Sequence, residues 1–199
     1  YMFSDIEKGV IKQDHRCIAK AITLIDDEIS GYETLVSNLF KYMQNTFRIG
    51  ITGAPGCGKS TLTDKLIHKY RMNGLSVAVL CIDPTSPFSG GAILGDRIRM
   101  AQHSSDDNIF IRSLASRNST GGLSNSIEEV ACLLDAAGFD IIILETVGVG
   151  QIELEIVETS DATVVVLNPE SGDEIQMLKA GLMEIGDIFV VNKSDRDGA

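Results

Sequence analysis

Six short aliphatic runs constrain this chain more than any other feature of it. They read FRIGIT from Phe47, SVAVLCID from Ser76, NIFIRS from Asn108, DIIILE from Asp140, TVVVLN from Thr163 and DIFVVN from Asp187. Each is apolar in consecutive positions rather than alternating with polar residues. Strands of that kind need cover on both faces, as parallel sheets provide. Helical patterns lie between the runs. Residues 59–73 align Leu62, Leu66 and Tyr70; residues 123–138 align Ile127, Val130, Ala131 and Leu134; a third pattern covers about 173–185. Strands alternating with helices predict an α/β fold, a mostly parallel sheet with helices on both faces. Ligands of such sheets bind beyond the carboxyl ends of the strands. Asp83, Glu145, Asn192 and the loop after the 47–52 run all stand there.

The first 45 or so residues differ. Residues 12–29 place Ile18, Ile22, Ile25 and Ile29 at helical spacing, and Gly31 ends that pattern. Residues 32–45 repeat it with Leu35, Leu39 and Tyr42. The expectation is a helical hairpin over 1–45, a cap or an interaction arm, followed by a nucleotide domain over 46–199.

Seventeen basic against 28 acidic residues give a net charge of −11. Such a chain is unsuited to broad contact with nucleic acid or with an anionic membrane. No run of aliphatic residues is long enough to predict a membrane span. The start, YMFSDIEKG, has no basic segment leading into an apolar one, so no secretory signal is expected. Cys17, Cys57, Cys81 and Cys132 are scattered, as are His15, His68 and His103, so zinc spacing is absent. Free thiols suit a reducing cytoplasm.

GAPGCGKS, Gly53 to Ser60, fits G-x-x-x-x-G-K-[ST] between a predicted strand and a predicted helix, the context that gives the motif its meaning. Gly53, Gly56 and Gly58 let the loop of Ala54, Pro55 and Cys57 curl so that backbone N–H groups point at phosphate oxygens. The helix beginning at Lys59, Ser60 and Thr61 adds its positive end. Lys59 reaches the β- and γ-phosphates, and the Ser60 hydroxyl ligates Mg²⁺. These features predict a P-loop NTPase.

VVNKSD ends the last aliphatic run. Guanine offers N1–H and a 2-amino group on one edge, and Asp195 can accept from both. Adenine lacks that amino group and carries an acceptor at N1, so it leaves the acid unpaired, and sites of that kind reject mismatched ligands strongly. Asn192 serves the other polar edge of the base and the Lys193 stem covers the ring. GTP is favoured over ATP. Opposite the P-loop, nucleotide switches place D-x-x-G. Here the same offset reads Glu145-Thr-Val-Gly148, so Glu145 is expected to serve Mg²⁺ through water and Gly148 to meet the γ-phosphate.

Several longer stretches then resemble one family. ETVGVGQ, IDPTSPFSGGAILGDRIRM (82–100), FIRSLASR (110–117), GGLS (121–124), SGDEIQMLKAG, VVNKSDRDGA (190–199) and, in the helical part, AITLI (21–25) are together similar to the MeaB/ArgK/MMAA family of P-loop GTPases. The resemblance spans almost the whole chain, and 82–100 is its most specific part. It implies a GTPase chaperone that assists cofactor loading and protection of adenosylcobalamin-dependent methylmalonyl-CoA mutase. It implies that Asp83 and Asp96 are switch acids near Mg²⁺, that Glu145 is the second switch acid, and that Lys179 serves partner-stimulated hydrolysis. It also implies that the chain, stopping at Ala199, lacks the end of the nucleotide domain and a helical dimerisation arm, so that a homodimer is expected of the full length.

Read from the residues alone, Asp83 before Pro84 fits a turn and Asp96 after Gly95 fits a helix N-cap. Two acids flanking a glycine-rich loop fit a nucleotide-responsive switch better. Asn168-Pro-Glu-Ser and Asn118 depart from the family pattern. Gln151 lies three residues past Gly148 and is not assigned as a water positioner.

Other readings stay open. A kinase linked to arginine and ornithine transport needs an acceptor pocket with its own base, and no residue stands out for it. A metal-delivery GTPase needs His or Cys clusters. A nucleotide-binding module without turnover needs neither.

Overall fold

The computed structural model describes residues 2–83, 102–103, 105–115, 123–146, 152–169 and 181–195. Asp96, Gly148 and Lys179 lie outside them, as do residues 84–100 and 171–180.

All six aliphatic runs are strands of one sheet. They are β1 (Phe47–Gly53), β2 (Val77–Asp83), β3 (Ile109–Ala115), β4 (Ile141–Thr146), β5 (Ala162–Leu167) and β6 (Ile188–Val191). The order is β3-β2-β4-β1-β5-β6, and every neighbouring pair is parallel. The expected fold class is therefore the observed one.

Strand side chains alternate between faces, and the two faces have separate cores. Val77, Val79 and Cys81 of β2 and Ile143 of β4 lie in one cluster with Ile67, Leu62 and Leu66. Those last three belong to α4 (Lys59–Met72), the helix after the phosphate loop. Ala78, Leu80 and Ile82 of β2 and Ile142 and Leu144 of β4 point the other way. They join Ile127, Val130, Leu133 and Leu134 of α5 (Leu123–Ala136) and the N-terminal helices.

The N-terminal region is helical as expected and has one helix more than the expected pair. It holds three helices, α1 (Met2–Ile11), α2 (His15–Asp26) and α3 (Tyr32–Leu39), and then a single 3-10 turn, Phe40–Tyr42. Asp14 caps α2, its carboxylate accepting from the Cys17 N–H at 2.9 Å. That backbone hydrogen bond holds the Asp14 carboxyl below its ordinary range. Ile18, Ala21, Ile22 and Ile25 form the buried stripe of α2, while Ile29 falls beyond the helix and is exposed. α1 is held by Ile6 and Val10, both buried in the same cluster.

The segment leading into β1 is fastened to the sheet-covering helix. Asp135 of α5 is buried and accepts from the Gln44 N–H at 2.8 Å and from the Thr46 hydroxyl at 2.9 Å. Arg48 at the start of β1 meets Glu128 of α5 at 2.8 Å. Two shorter helices follow among the described residues, α6 (Ile152–Thr159) and α7 (Leu182–Ile185). Of the helix expected over 173–185, residues 182–185 are helical as α7, which starts after Gly181 in the left-handed region (φ 70°), and 173–180 lie outside the described residues. No helix among the described residues is long and apolar enough to cross a membrane.

Candidate nucleotide site

β1 lies between β4 and β5 and delivers the 53–58 loop to the middle of the carboxyl edge of the sheet. The loop needs glycine in two places for different reasons. Gly53 has φ 141°, and a Cβ there would collide with the Val166 carbonyl oxygen of β5. Gly58 has φ 101°, and a Cβ there would collide with the Asn192 side-chain amide. Ala54 and Cys57 are buried beneath the loop, and Pro55 lines the open side with Gly56.

Lys59 opens α4 and is only 6% exposed. Its ammonium donates to the carbonyls of Gly53 at 2.6 Å and Ala54 at 2.9 Å, bridging the loop. A lysine has three donors, so a third remains to be directed along the cleft.

Glu145 is 1% exposed, although it ends an otherwise aliphatic strand. Alternation explains its direction. Ile143 faces α4, Leu144 faces α5, and Glu145 faces α4 again. There one carboxylate oxygen accepts from the Ser60 hydroxyl at 2.7 Å, and the other from the Thr63 hydroxyl at 2.7 Å. Ser60 and Thr63 are three residues apart, hence on one face of the helix. Thr63 was not singled out by the sequence motif; its spacing from Ser60 was the available signal. Beyond Glu145, Thr146 turns to the opposite face, its hydroxyl 3.4 Å from that of Thr52.

The oxygen set fits magnesium. Mg²⁺ takes hard oxygen ligands, usually one or two from protein and the rest from water and phosphate. Ser60 Oγ and the Glu145 carboxylate, side by side below the loop, supply that share. No group of three or more His, Cys, Asp or Glu among the described residues forms a self-contained metal site. Asp83 ends β2 one residue beyond Ile82, which pairs with Thr146, so its backbone stands at the same sheet edge.

The expected base-reading residues close the other end. The Asn192 N–H continues the β5–β6 ladder to the Leu167 carbonyl at 2.9 Å. Its side-chain amide donates to the Cys57 carbonyl at 2.9 Å. Lys193 adopts φ 56°, in the left-handed region, and donates to the Gly56 carbonyl at 2.9 Å. Asn192, Lys193 and Asp195 thus share one cleft of about 820 Å³ with Gly58, Lys59, Ser60, Thr61 and Glu145. Two motifs separated by some 130 residues of sequence are joined by direct hydrogen bonds.

Comparison with known proteins agrees with this arrangement. The family model described as "Methylmalonyl Co-A mutase-associated GTPase MeaB" matches residues 18–199. A Pyrococcus horikoshii protein that carries GTPase in its name is 55% identical over 188 residues, 94% of this chain and 59% of its own length. GTPase ArgK of Escherichia coli is 40% identical over 192 residues, again 94% of this chain and 58% of its own. The crystal structure of a LAO/AO transport system kinase superposes with a TM-score of 0.74 at 31% identity, over 98% of this chain and 57% of that one. The chain therefore spans less than two thirds of the length of these relatives. With the family model matching nearly all of the sequence, and with the G-x-x-x-x-G-K-S loop, the buried acid Glu145 and the N-K-x-D turn meeting in one cleft, this chain belongs to the MeaB family of P-loop GTPases.

Proposed function

We propose that the protein binds GTP with Mg²⁺, hydrolyses it slowly by itself, and uses that cycle to assist an adenosylcobalamin-dependent acyl-CoA mutase. Methylmalonyl-CoA mutase is the first candidate, on the strength of the family description. The observation that carries the nucleotide part is the cleft itself. One end offers Lys59, Ser60 and Glu145 to a triphosphate, and the other offers Asn192, Lys193 and Asp195 to a base.

In this reading the loop N–H groups of residues 53–58 and the start of α4 hold the phosphates. Lys59, already stripped of most of its water, leaves its loop carbonyls for the β- and γ-phosphate oxygens. Ser60 and Glu145 hold the metal, with Asp83 and Asp96 as further acids. Held by these residues, Mg²⁺ would supply neutralisation of the charge that develops in transfer. Gly148 faces the γ-phosphate. Asp195 accepts from the guanine edge. Catalysis is positioning and electrostatic stabilisation of an attacking water, without a covalent intermediate. Lys179 takes part when the partner is docked. The whole protein acts as a homodimer in the cytoplasm, a setting that suits four cysteines held as thiols. Residues 1–45 form its helical cap and 46–199 its nucleotide domain.

A transport-linked kinase is the weaker reading. Of the two acids lining the described cleft, Glu145 is engaged by two hydroxyls and Asp195 stands at the base end, so neither is placed to deprotonate an acceptor. Phosphate release from GTP and from ATP, with and without a cobalamin-dependent acyl-CoA mutase, tests the proposal on the full-length protein. Slow GTP turnover accelerated by the mutase, with ATP inert, is expected. Turnover indifferent to the mutase would remove that partner, and efficient phosphate transfer from ATP to an acceptor would overturn the GTPase reading.

A further inference from the structure

We infer that Thr63 is a positioning residue for the metal half of the nucleotide site: it fixes where the Glu145 carboxylate sits and thereby sets how strongly the site responds to Mg²⁺. The inference rests on the GTP–Mg²⁺ reading above and assigns a role outside the phosphate-loop motif, which ends at Ser60.

Glu145 approaches α4 with both oxygens engaged, one 2.7 Å from Ser60 Oγ and one 2.7 Å from Thr63 Oγ1. Thr63 is fully buried and Glu145 is 1% exposed, so bulk water does not stand in for the Thr63 hydroxyl, whereas Ser60 is exposed at the mouth of the cleft. A carboxylate hydrogen-bonded at one oxygen can still pivot about that contact. A second donor on the other oxygen, one helical turn away, removes the pivot. The Ser60 hydroxyl is the expected metal ligand, so its geometry is set by two demands. Thr63 has no metal to serve and can hold the acid in register while Glu145 faces α4.

The Thr63 hydroxyl also lies 3.0 Å from the Lys59 carbonyl, four residues back on its own helix. It has a single proton. The charged acceptor takes it while Glu145 is in place, because hydrogen bonds to ionised groups are the stronger. When the acid moves, the same proton turns to the Lys59 carbonyl. Thr63 therefore has an acceptor whether or not Glu145 faces α4, and its buried donor is not stranded. A residue able to hold an acid firmly and to release it without an orphaned donor suits the end of a strand that runs into a switch.

The test uses the full-length protein and a fluorescent GDP analogue, titrated with Mg²⁺ and also measured in EDTA. Thr63→Val keeps the shape and removes the hydroxyl. About a tenfold or greater rise in the Mg²⁺ concentration needed for half-maximal tightening is expected, because hydrogen bonds to charged groups are strong. Nucleotide affinity in EDTA should stay within about twofold, since the loop, Lys59 and the base motif are untouched. Thr63→Ser restores the hydroxyl and should restore the Mg²⁺ response. If the valine variant does not fold, the serine variant still decides: a serine variant with a weakened Mg²⁺ response overturns the inference, as does a folded valine variant with the wild-type response. A wild-type protein whose guanine-nucleotide affinity ignores Mg²⁺ would overturn the underlying reading, and this inference with it.

Discussion

Gly56 and Gly58 allow the bond between the base motif and the phosphate loop to be weighed against the cost of loop shape alone. Both have positive φ, 76° and 101°. A Cβ on Gly56 meets nothing within 4 Å, whereas one on Gly58 runs into the Asn192 amide. Each alanine variant carries the left-handed backbone cost, about 1–2 kcal/mol. Only Gly58→Ala also displaces Asn192 from the Cys57 carbonyl, a hydrogen bond worth about 0.5–1.5 kcal/mol net. Gly58→Ala should therefore be less stable than Gly56→Ala by about 1 kcal/mol, which is about 2–4 °C in melting temperature for a protein of this size. The assay is thermal unfolding of both variants without nucleotide, followed by binding of GDP and of ADP. Gly56→Ala should keep its preference for guanine. Gly58→Ala should narrow that preference, because Asn192 is a base-reading residue in our proposal. Equal melting and equal guanine preference in the two variants would refute the reasoning, since the collision with Asn192 is the difference between them.

Other consequences are simpler to read. Lys59→Ala removes the cation that bridges the Gly53 and Ala54 carbonyls; GTP turnover should fall to background, and a fully active variant would sink the site assignment. Asp135→Ala strands the Gln44 N–H beneath the start of β1, while the Thr46 hydroxyl keeps the Phe139 carbonyl at 2.9 Å, and urea unfolding should show a loss of about 1–3 kcal/mol. Glu129 on α5 has its carboxyl pushed above the ordinary 4.5 by burial and by Glu33 and Glu28. The folded state then holds that proton more tightly than the unfolded chain, so stability falls as pH rises from 4.5 through the raised value, and the penalty is complete above it. Glu129→Gln should accordingly raise the melting temperature at neutral pH and leave it unchanged near pH 4, an outcome that parallel melts at the two pH values can check.

The sheet was legible because parallel strands buried on two faces must be aliphatic at consecutive positions, and nothing else in the chain looks like that. The two ends of the cleft could be named in advance because the groups that phosphate and guanine would demand stand at fixed spacing in the sequence, and the fold brings them together. Two helices were not legible. Residues 152–157, IELEIV, alternate apolar and polar as a half-buried strand does. They form α6 because tertiary packing overrides that pattern: Ile156 is fully buried, so close to β1 that a Cβ on Gly50 would sit 2.7 Å from its side chain. α1 shows only Phe3, Ile6 and Val10 at helical spacing, too sparse a stripe to announce a helix by itself, and it is held by packing against α2 and α5.

The face of α4 shows why a hydrophobic pattern misreads a helix that carries a site. Its spacing favours Leu62, Leu66 and Tyr70 as the buried stripe, and these are only partly buried. The centre of the buried face is one residue on, at Lys59, Thr63 and Ile67. The displacement has a chemical cause. At the carboxyl edge of the sheet the neighbour of α4 is no longer Ile143 but Glu145, so the first two turns must offer donors rather than methyl groups. Ser60 and Thr63 meet the acid; a turn later Ile67 meets the aliphatic part of the same strands. The helix thus changes from polar to apolar along its buried side where the strand beneath it changes in the opposite sense. The match depends on strand parity. A shift of β4 by one residue would turn Glu145 towards α5 and leave the two hydroxyls facing Leu144 or Thr146. The carboxylate at the end of this aliphatic strand is held by the same alternation that builds the core, and for that reason its position is as firmly specified as the fold.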